Sequence, residues 1–262
     1  MTFLLVLMAL SLVGAFVAGL VGVGGAIVMI PLLLYVPPLL GVAQLDVKTV
    51  AAMTMVQVFV AAVSAVAIHH RRQAVRSDLA AVGGLAMAAG SLTGAVASKF
   101  ADDRLLLSIF GLMTVTALAL LFVPTETAGQ PIFAEGVEFN RPRALAVCGS
   151  VGLVAGLVGA GGAFLLVPLL IVVVGLPIRV TIGSSLAITA VAATAGVVGK
   201  VGTGQVPLSP TLAVVVGAVP GAQLGALVSR RLSGAGLRRV LFLVVLGSAL
   251  RVWWDLLVPA LE

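Results

Sequence analysis

Apolar positions along this chain do not alternate with polar ones at a strand period or line one face of a helix. They fill whole segments. Ten such segments follow one another, at about 3–21, 26–40, 49–69, 79–98 and 104–123, then 144–158, 163–176, 181–199, 210–229 and 240–257. Asp, Glu, Lys and Arg are absent from Met1–Leu45, Leu79–Ser98, Ala144–Ile178, Val180–Gly199 and Val201–Ser229. An apolar run of about 18 residues or more crosses a ~30 Å hydrocarbon core as a helix, which satisfies its own backbone where water cannot. The pattern predicts an all-α polytopic membrane protein.

Segments 26–40 and 163–176 are shorter than the rest, at 15 and 14 residues. As helices they rise only ~21–22 Å. Either they turn back inside the membrane, leaving eight spans, or they cross with a break submerged, giving ten. Basic residues gather on the cytoplasmic side of membrane proteins. With ten spans, one side collects Arg71, Arg72, Arg76, Arg141, Arg143, Arg179, Arg230, Arg231, Arg238 and Arg239, against Lys48, Lys99, Arg104 and Lys200 on the other. That is ten against four, whereas eight spans divide the same residues eight against six. Ten spans are expected, with both termini facing away from the cytoplasm.

The chain repeats itself. Val17–Leu33 returns as Val154–Leu170 at a constant offset of 137, with 12 of 17 positions identical, among them the Gly-Gly pair and the proline. Gly90-Ser-Leu-Thr-Gly94-Ala is echoed by Gly221-Ala-Gln-Leu-Gly225-Ala. The expected organisation is a first transmembrane repeat at 1–123, a polar linker at 124–143 and a second repeat at 144–262. Five segments per half make the repeats inverted, an arrangement common among secondary transporters.

Only 9% of the residues are charged and 61% are hydrophobic. A soluble domain has about 25% charged residues, so a soluble enzyme is excluded, as is a one-span anchor carrying a folded domain. The net charge of +6 sits in loops between apolar runs, which makes it a topology signal and not a nucleic-acid footprint. Cys148 is the only cysteine and there are two histidines, too few for a disulfide or a structural zinc site. No cofactor is called for. The expected partners are a small anionic substrate and the lipid bilayer, with a homodimer left open. Met1–Gly22 lacks a basic start and a small-residue cleavage site, so it is expected to be a retained first helix.

The duplicated Gly19-Leu-Val-Gly-Val-Gly-Gly25 through Pro31, with its copy at Gly156–Pro168, resembles the signature of the sulfite exporter TauE/SafE family of probable membrane transporter proteins, grouped with the 4-toluene sulfonate uptake permeases. Ile182-Gly-Ser-Ser-Leu-Ala and Pro220-Gly-Ala-Gln-Leu-Gly-Ala are similar to that family's second-half pattern. Many members carry a third consecutive glycine where this chain has Ala26 and Ala163, and Ala51-Ala52-Met53 stands in place of the Gly-Ser-Ser pattern in the first half. The resemblance spans essentially the whole chain. It implies a multi-pass permease of the bacterial inner membrane for small sulfur-containing anions such as sulfite or organosulfonates.

Read for chemistry, Gly22, Gly24 and Gly25, with Gly159, Gly161 and Gly162, mark a break in an apolar helix, since glycine weakens a helix by about 1 kcal/mol relative to alanine. Broken helices at membrane depth line cavities or lie within protein. Freed N–H groups there, with the positive end of the next helix, attract an anion, and Pro31 and Pro168 suit the opening of that helix. The competing reading is close helix packing. Thr54, Gln57, Ser184, Ser185 and Thr189 are candidate uncharged donors to substrate oxygens, against ordinary interhelical hydrogen bonding. Gln223 is a weaker pore-lining candidate. Gly90, Gly94, Gly221 and Gly225 are assigned to packing. His69-His70-Arg71-Arg72 reads as a basic cytoplasmic loop, Cys148 as a buried filler, and Trp253 and Trp254 as interface anchors. No nucleophile, base and orienter stand together, so an enzyme is not expected.

Overall fold

In a computed structural model, residues 2–21, 24–70, 76–123, 139–229, 231–232 and 234–258 are described. They form ten helices and no strand: α1 (Thr2–Val21), α2 (Ala26–Leu39), α3 (Val47–His70), α4 (Ser77–Ala97), α5 (Asp103–Phe122), α6 (Arg141–Val158), α7 (Ala163–Val172), α8 (Ile178–Gly202), α9 (Leu208–Ser229) and α10 (Gly234–Leu257). Eight are long and apolar enough to cross a membrane; α2 and α7 are the short ones. Each apolar segment has its helix. The largest difference lies where charge interrupts the pattern. The tenth helix starts at Gly234, not 240, because Arg238 sits inside it and reaches back to the carbonyls of Leu121 and Val123. The eighth runs on past residue 199 through Lys200 to Gly202.

Local chemistry sets the helix starts. Asn140 caps α6, its side chain accepting from the Arg143 N–H at 3.1 Å, with Pro142 in the first turn, where a missing N–H is harmless. Asp46 does the same for α3, accepting from the Thr49 N–H at 3.0 Å. Pro31 and Pro168 do not open their helices: α2 and α7 begin five residues earlier, at Ala26 and Ala163. Proline inside a helix removes the bond to the carbonyl four residues back. At Pro31 the orphaned acceptor is Ile27, and the Ser248 hydroxyl of α10 donates to it at 2.5 Å.

Contacts at the two ends of the bundle fix the helix directions. At one end, called here the Lys200 end, the Val47 N–H donates to the Asp103 carboxylate (3.1 Å) and Lys48 Nζ to the Lys99 carbonyl (3.3 Å). At the opposite, Arg76 end, the Arg76 N–H donates to Ser184 Oγ (3.0 Å) and its guanidinium lies 4.9 Å from the centre of the Phe139 ring. Successive helices therefore alternate in direction, α2 and α7 included. The start of α8, next to Arg179, lies at the Arg76 end, as ten alternating elements require.

Two glycine seams hold the bundle. The first lies between α1 and α9, which run parallel. A Cβ on Gly217, Gly221 or Gly225 would strike the backbone at Met8, Leu12 or Phe16, and the Ser11 hydroxyl donates to the Val214 carbonyl at 2.6 Å. The second lies between α4 and α6, where Gly90 and Gly94 press on the backbone of Gly149–Leu157, and Gly152 and Gly156 press on Met87 and Ser91. Lipid is as apolar as leucine, so helices in a membrane gain from tight van der Waals contact and not from hydrophobic burial. Each seam joins a helix from the first half of the chain to one from the second.

Candidate functional site

The two breaks meet at the middle of the bundle. Gly24, Gly25, Gly159, Gly161 and Gly162 all take left-handed conformations, with φ between 60° and 77°, where a Cβ is strained. Gly22 lies outside the described residues. After the first break α2 starts level with Gly14 of α1, whose carbonyl a Cβ on Gly25 would approach to 2.6 Å. After the second, α7 starts level with Val151 and Ala155 of α6, each 2.8 Å from the Cβ position of Gly162. The chain turns back at each break and begins a new helix near mid-depth. The Cβ position of Gly24 is 3.4 Å from Ala163 Cβ, the first residue of α7. The starts of α2 and α7, which run towards opposite ends, thus lie side by side.

Helix starts carry unpaired N–H groups and partial positive charge. In α2 the first internal bonds are made by Val28 and Met29, both to the Gly25 carbonyl, and in α7 by Leu165 and Leu166 to the Gly162 carbonyl. Neither start has a side-chain cap, since glycine occupies the cap position.

Helices α3 and α8 flank this point. A Cβ at Gly24 would lie 3.3 Å from Val58 Cγ1 and 3.6 Å from Thr189 Cγ2. At Gly161 it would collide with Val58 and lie 3.4 Å from Thr189 Cγ2. Val58 and Thr189 are related by an offset of 131 that also pairs Thr54 with Ser185. The Thr189 hydroxyl is buried and has no protein partner among the described residues. The same is true of the Thr54 hydroxyl, one turn of α3 from Val58, and of both polar atoms of Gln57, the residue next to Val58. Gln57 Nε2 is 3.1 Å from the Cβ position of Gly25. An unpaired polar group in an interior costs about 1–3 kcal/mol. Gathering several beside two uncapped helix starts is a poor way to pack a core, and a suitable way to receive an oxyanion through uncharged donors.

The structure brings together Gly24, Gly161 and Thr189, with Gly25, Gln57 and Thr54 next to them. Gly162 and Gly159 serve their own break: Gly162 abuts Met87, and Gly159 presses on the Ala51 backbone. Ser184 lies towards the Arg76 end, its hydroxyl occupied by the Arg76 N–H, and the Ser185 hydroxyl donates back to the Ile182 carbonyl at 3.0 Å. Gln223 is no pore-lining residue here; it is exposed on α9, on the face away from the seam. Trp253 is half-buried and donates to the Gly111 carbonyl at 3.2 Å, tying α10 to α5, while Trp254 is exposed. Arg71 and Arg72, and the side chains of His69 and His70, are outside the described residues.

Ser91 was passed over in the sequence reading. Ser91 of α4 is buried and its hydroxyl has no partner among the described residues. In sequence it stands inside the Gly90–Gly94 repeat, where a serine reads as one more small residue for packing.

Comparison with known proteins agrees with this architecture. The profile of the family described as Sulfite exporter TauE/SafE matches residues 7–252. A "Probable membrane transporter protein" of Xylella fastidiosa (strain Temecula1) is 30% identical over 246 residues, covering 93% of this chain and 92% of its own. The "Probable membrane transporter protein YunE" of Bacillus subtilis (strain 168) is 25% identical over 245 residues, covering 87% and 89%. No solved structure matches the chain.

Proposed function

The chain belongs to the sulfite exporter TauE/SafE family and is a multi-pass membrane transporter, and from that premise we propose that it carries a small sulfur-containing anion, sulfite or an organosulfonate, out across the bacterial inner membrane by alternating access. The observation that carries this reading is the meeting of two uncapped helix starts at Thr189 and Val58, beside the unpartnered Thr54 and Gln57. The site offers donors and positive helix ends but no fixed charge, which suits an oxyanion that must also be released.

The direction follows from charge. An anion leaving a cell held at 100 mV, negative inside, gains about 2.3 kcal/mol per charge, roughly 50-fold in concentration ratio. Export needs no coupling ion. The arginine-rich Arg76 end is assigned to the cytoplasm by the positive-inside rule. The halves 1–123 and 144–262 act as inverted repeats around the shared site, supported by the equivalence of Gly24 with Gly161 and of Val58 with Thr189. Because each glycine seam joins the two halves, the bodies that rock against each other contain helices from both.

Radiolabelled sulfite flux in proteoliposomes tests the proposal. Saturable uptake accelerated by unlabelled sulfite on the far side is expected of a carrier. Flux that never saturates, carried as a current, would make the protein a channel. Absence of flux for sulfite, sulfate, thiosulfate and toluenesulfonate would remove the anion reading.

A further inference from the structure

A fully buried lysine stands at the end of α8. Lys200 has no exposed surface. Its ammonium donates to Ser98 Oγ at 2.6 Å and to Gln205 Oε1 at 3.1 Å. Both acceptors are neutral, and an ammonium has three protons to place. The ion pairs among the described residues, Arg76 with Asp78 and Arg251 with Asp255, lie elsewhere. A second cation lies at this end, Lys48, anchored on the Lys99 carbonyl. A buried charge without a counter-charge costs several kcal/mol; the two hydrogen bonds and the carbonyl end of α8 offset part of that, and no carboxylate among the described residues pairs with it.

The seam between α4 and α8 leads from this lysine back to the central site. Ser98 faces Lys200. One turn in, Ala95 Cβ is 2.9 Å from the Cβ position of Gly199, and one turn further Ser91 Oγ is 2.7 Å from that of Gly196. Two turns below Gly196 on the same helix is Thr189. The α8 side of the seam is glycine at 196 and 199, met by Met55, Leu92 and Ala95, and the buried Ser91 hydroxyl, aimed at α8, has no partner among the described residues. Glycine on α8 lets Met55, Ser91 and Ala95 close onto the helix here, so the seam is shut in this conformation with a donor halfway along it.

We propose that Lys200, with Ser98 and Gln205, forms a second anion station at the outer end of the α4–α8 seam, where an oxyanion leaving the central site pairs with the ammonium before release. The station rests on the anion-carrier reading above and extends it. It supplies a buried positive charge at the end of a route otherwise built of uncharged donors, so the anion moves towards it and then out. In this conformation α4 and α8 touch along the seam, and the station loads when they part.

The test is sulfite transport by protein inserted in proteoliposomes with known orientation, with KM measured separately from each face. Lys200→Met keeps the length and removes the charge. It is expected to raise KM at the Lys200 face about tenfold or more, the scale of one charge-assisted hydrogen bond, and to leave KM at the Arg76 face within about twofold. Lys200→Arg should restore most of the affinity. Ser91→Ala removes an unpartnered hydroxyl, so the melting temperature holds or rises while outer-face KM increases about threefold. Equal changes at both faces, or none, would mean that Lys200 only positions helix ends, and would overturn the station. If Lys200→Met does not fold, Ser91→Ala decides: unchanged KM at both faces overturns the proposal. Wild-type protein that moves no sulfite brings down the anion-carrier reading and the station together, whereas normal wild-type flux with indifferent variants removes the station alone.

Discussion

Gly24 and Gly161, 137 positions apart in the sequence, look onto the same two side chains, Val58 and Thr189. The relationship is not quite symmetric. A Cβ on Gly24 would stand 3.3 Å from Val58 Cγ1, a contact that a small shift relieves, whereas a Cβ on Gly161 would overlap it. Gly161→Ala should therefore lose transport and lower the melting temperature in detergent. Gly24→Ala should lose transport with a smaller change in stability, set by its positive φ at roughly 1–2 kcal/mol. Adding Val58→Ala should return part of the lost stability to Gly161→Ala by relieving the overlap, while the strain of its positive φ remains, and should give Gly24→Ala no such gain. Transport at the wild-type rate in Gly24→Ala would mean that the breaks only pack helices.

Thr189→Val and Gln57→Leu replace unpartnered polar groups with apolar ones of similar shape. Each should raise thermal stability, by up to about 1–3 kcal/mol where the group is truly unpaired. Each should also lower sulfite transport at least about tenfold, one lost hydrogen bond to a charged group. Gain of stability with loss of transport is the signature of a binding site. Loss of both would make these residues structural.

The seam glycines should behave the other way. Gly221→Val and Gly90→Val drive a side chain into the backbone of Leu12 and Gly149. Folded protein should fall first, and transport per folded molecule should stay near the wild-type value. Transport and size-exclusion profiles measured on the same preparations separate the two effects.

Ser248 and Pro31 form a coupled pair through the Ile27 carbonyl. Ser248→Ala leaves that carbonyl without its hydroxyl donor and should destabilise by about 0.6 kcal/mol, the mean for hydrogen bonds within membranes, and by no more than about 1.7. Pro31→Ala restores a helical N–H to the same acceptor, so Ser248→Ala in that background should cost less. A double-mutant cycle with no coupling would show that the serine hydroxyl is dispensable.

Cysteine labelling reads the helix directions. Cysteines at Arg143 and Arg179 should react from one side of the membrane, and a cysteine at Lys48 from the other. Labelling of the Arg179 site together with Lys48 would contradict alternating directions through α2 and α7.

Helix existence was legible because charge is confined to a few places, and the breaks were legible because glycines recur at matched positions in both halves. Where the reading failed, it lacked three-dimensional partners. Pro31 looks like a helix opener until Ser248, far along the chain, is found holding the carbonyl it frees. Gln223 and Ser184 are polar residues in apolar runs, just as Gln57 and Thr189 are. Only the packing of α3 against α8 separates the buried, unpaired pair from one that is exposed and one that is engaged at a helix end. Lys200 counted as a loop charge because hydropathy ends a span at the first lysine, whereas the helix continues and buries it.

The seam between α1 and α9 sets a waiting time. Ser11 and Val214, bonded across it, are 203 residues apart. Translation at ~5–20 residues per second puts roughly 10–40 s between their syntheses. During that interval α1 lies in the bilayer with its glycine-fitting face unmatched, while α2 to α8 enter around it. Among these ten helices α1 enters first and is among the last to be locked, and any chain stopped before α9 leaves the membrane with an open face for quality control to recognise.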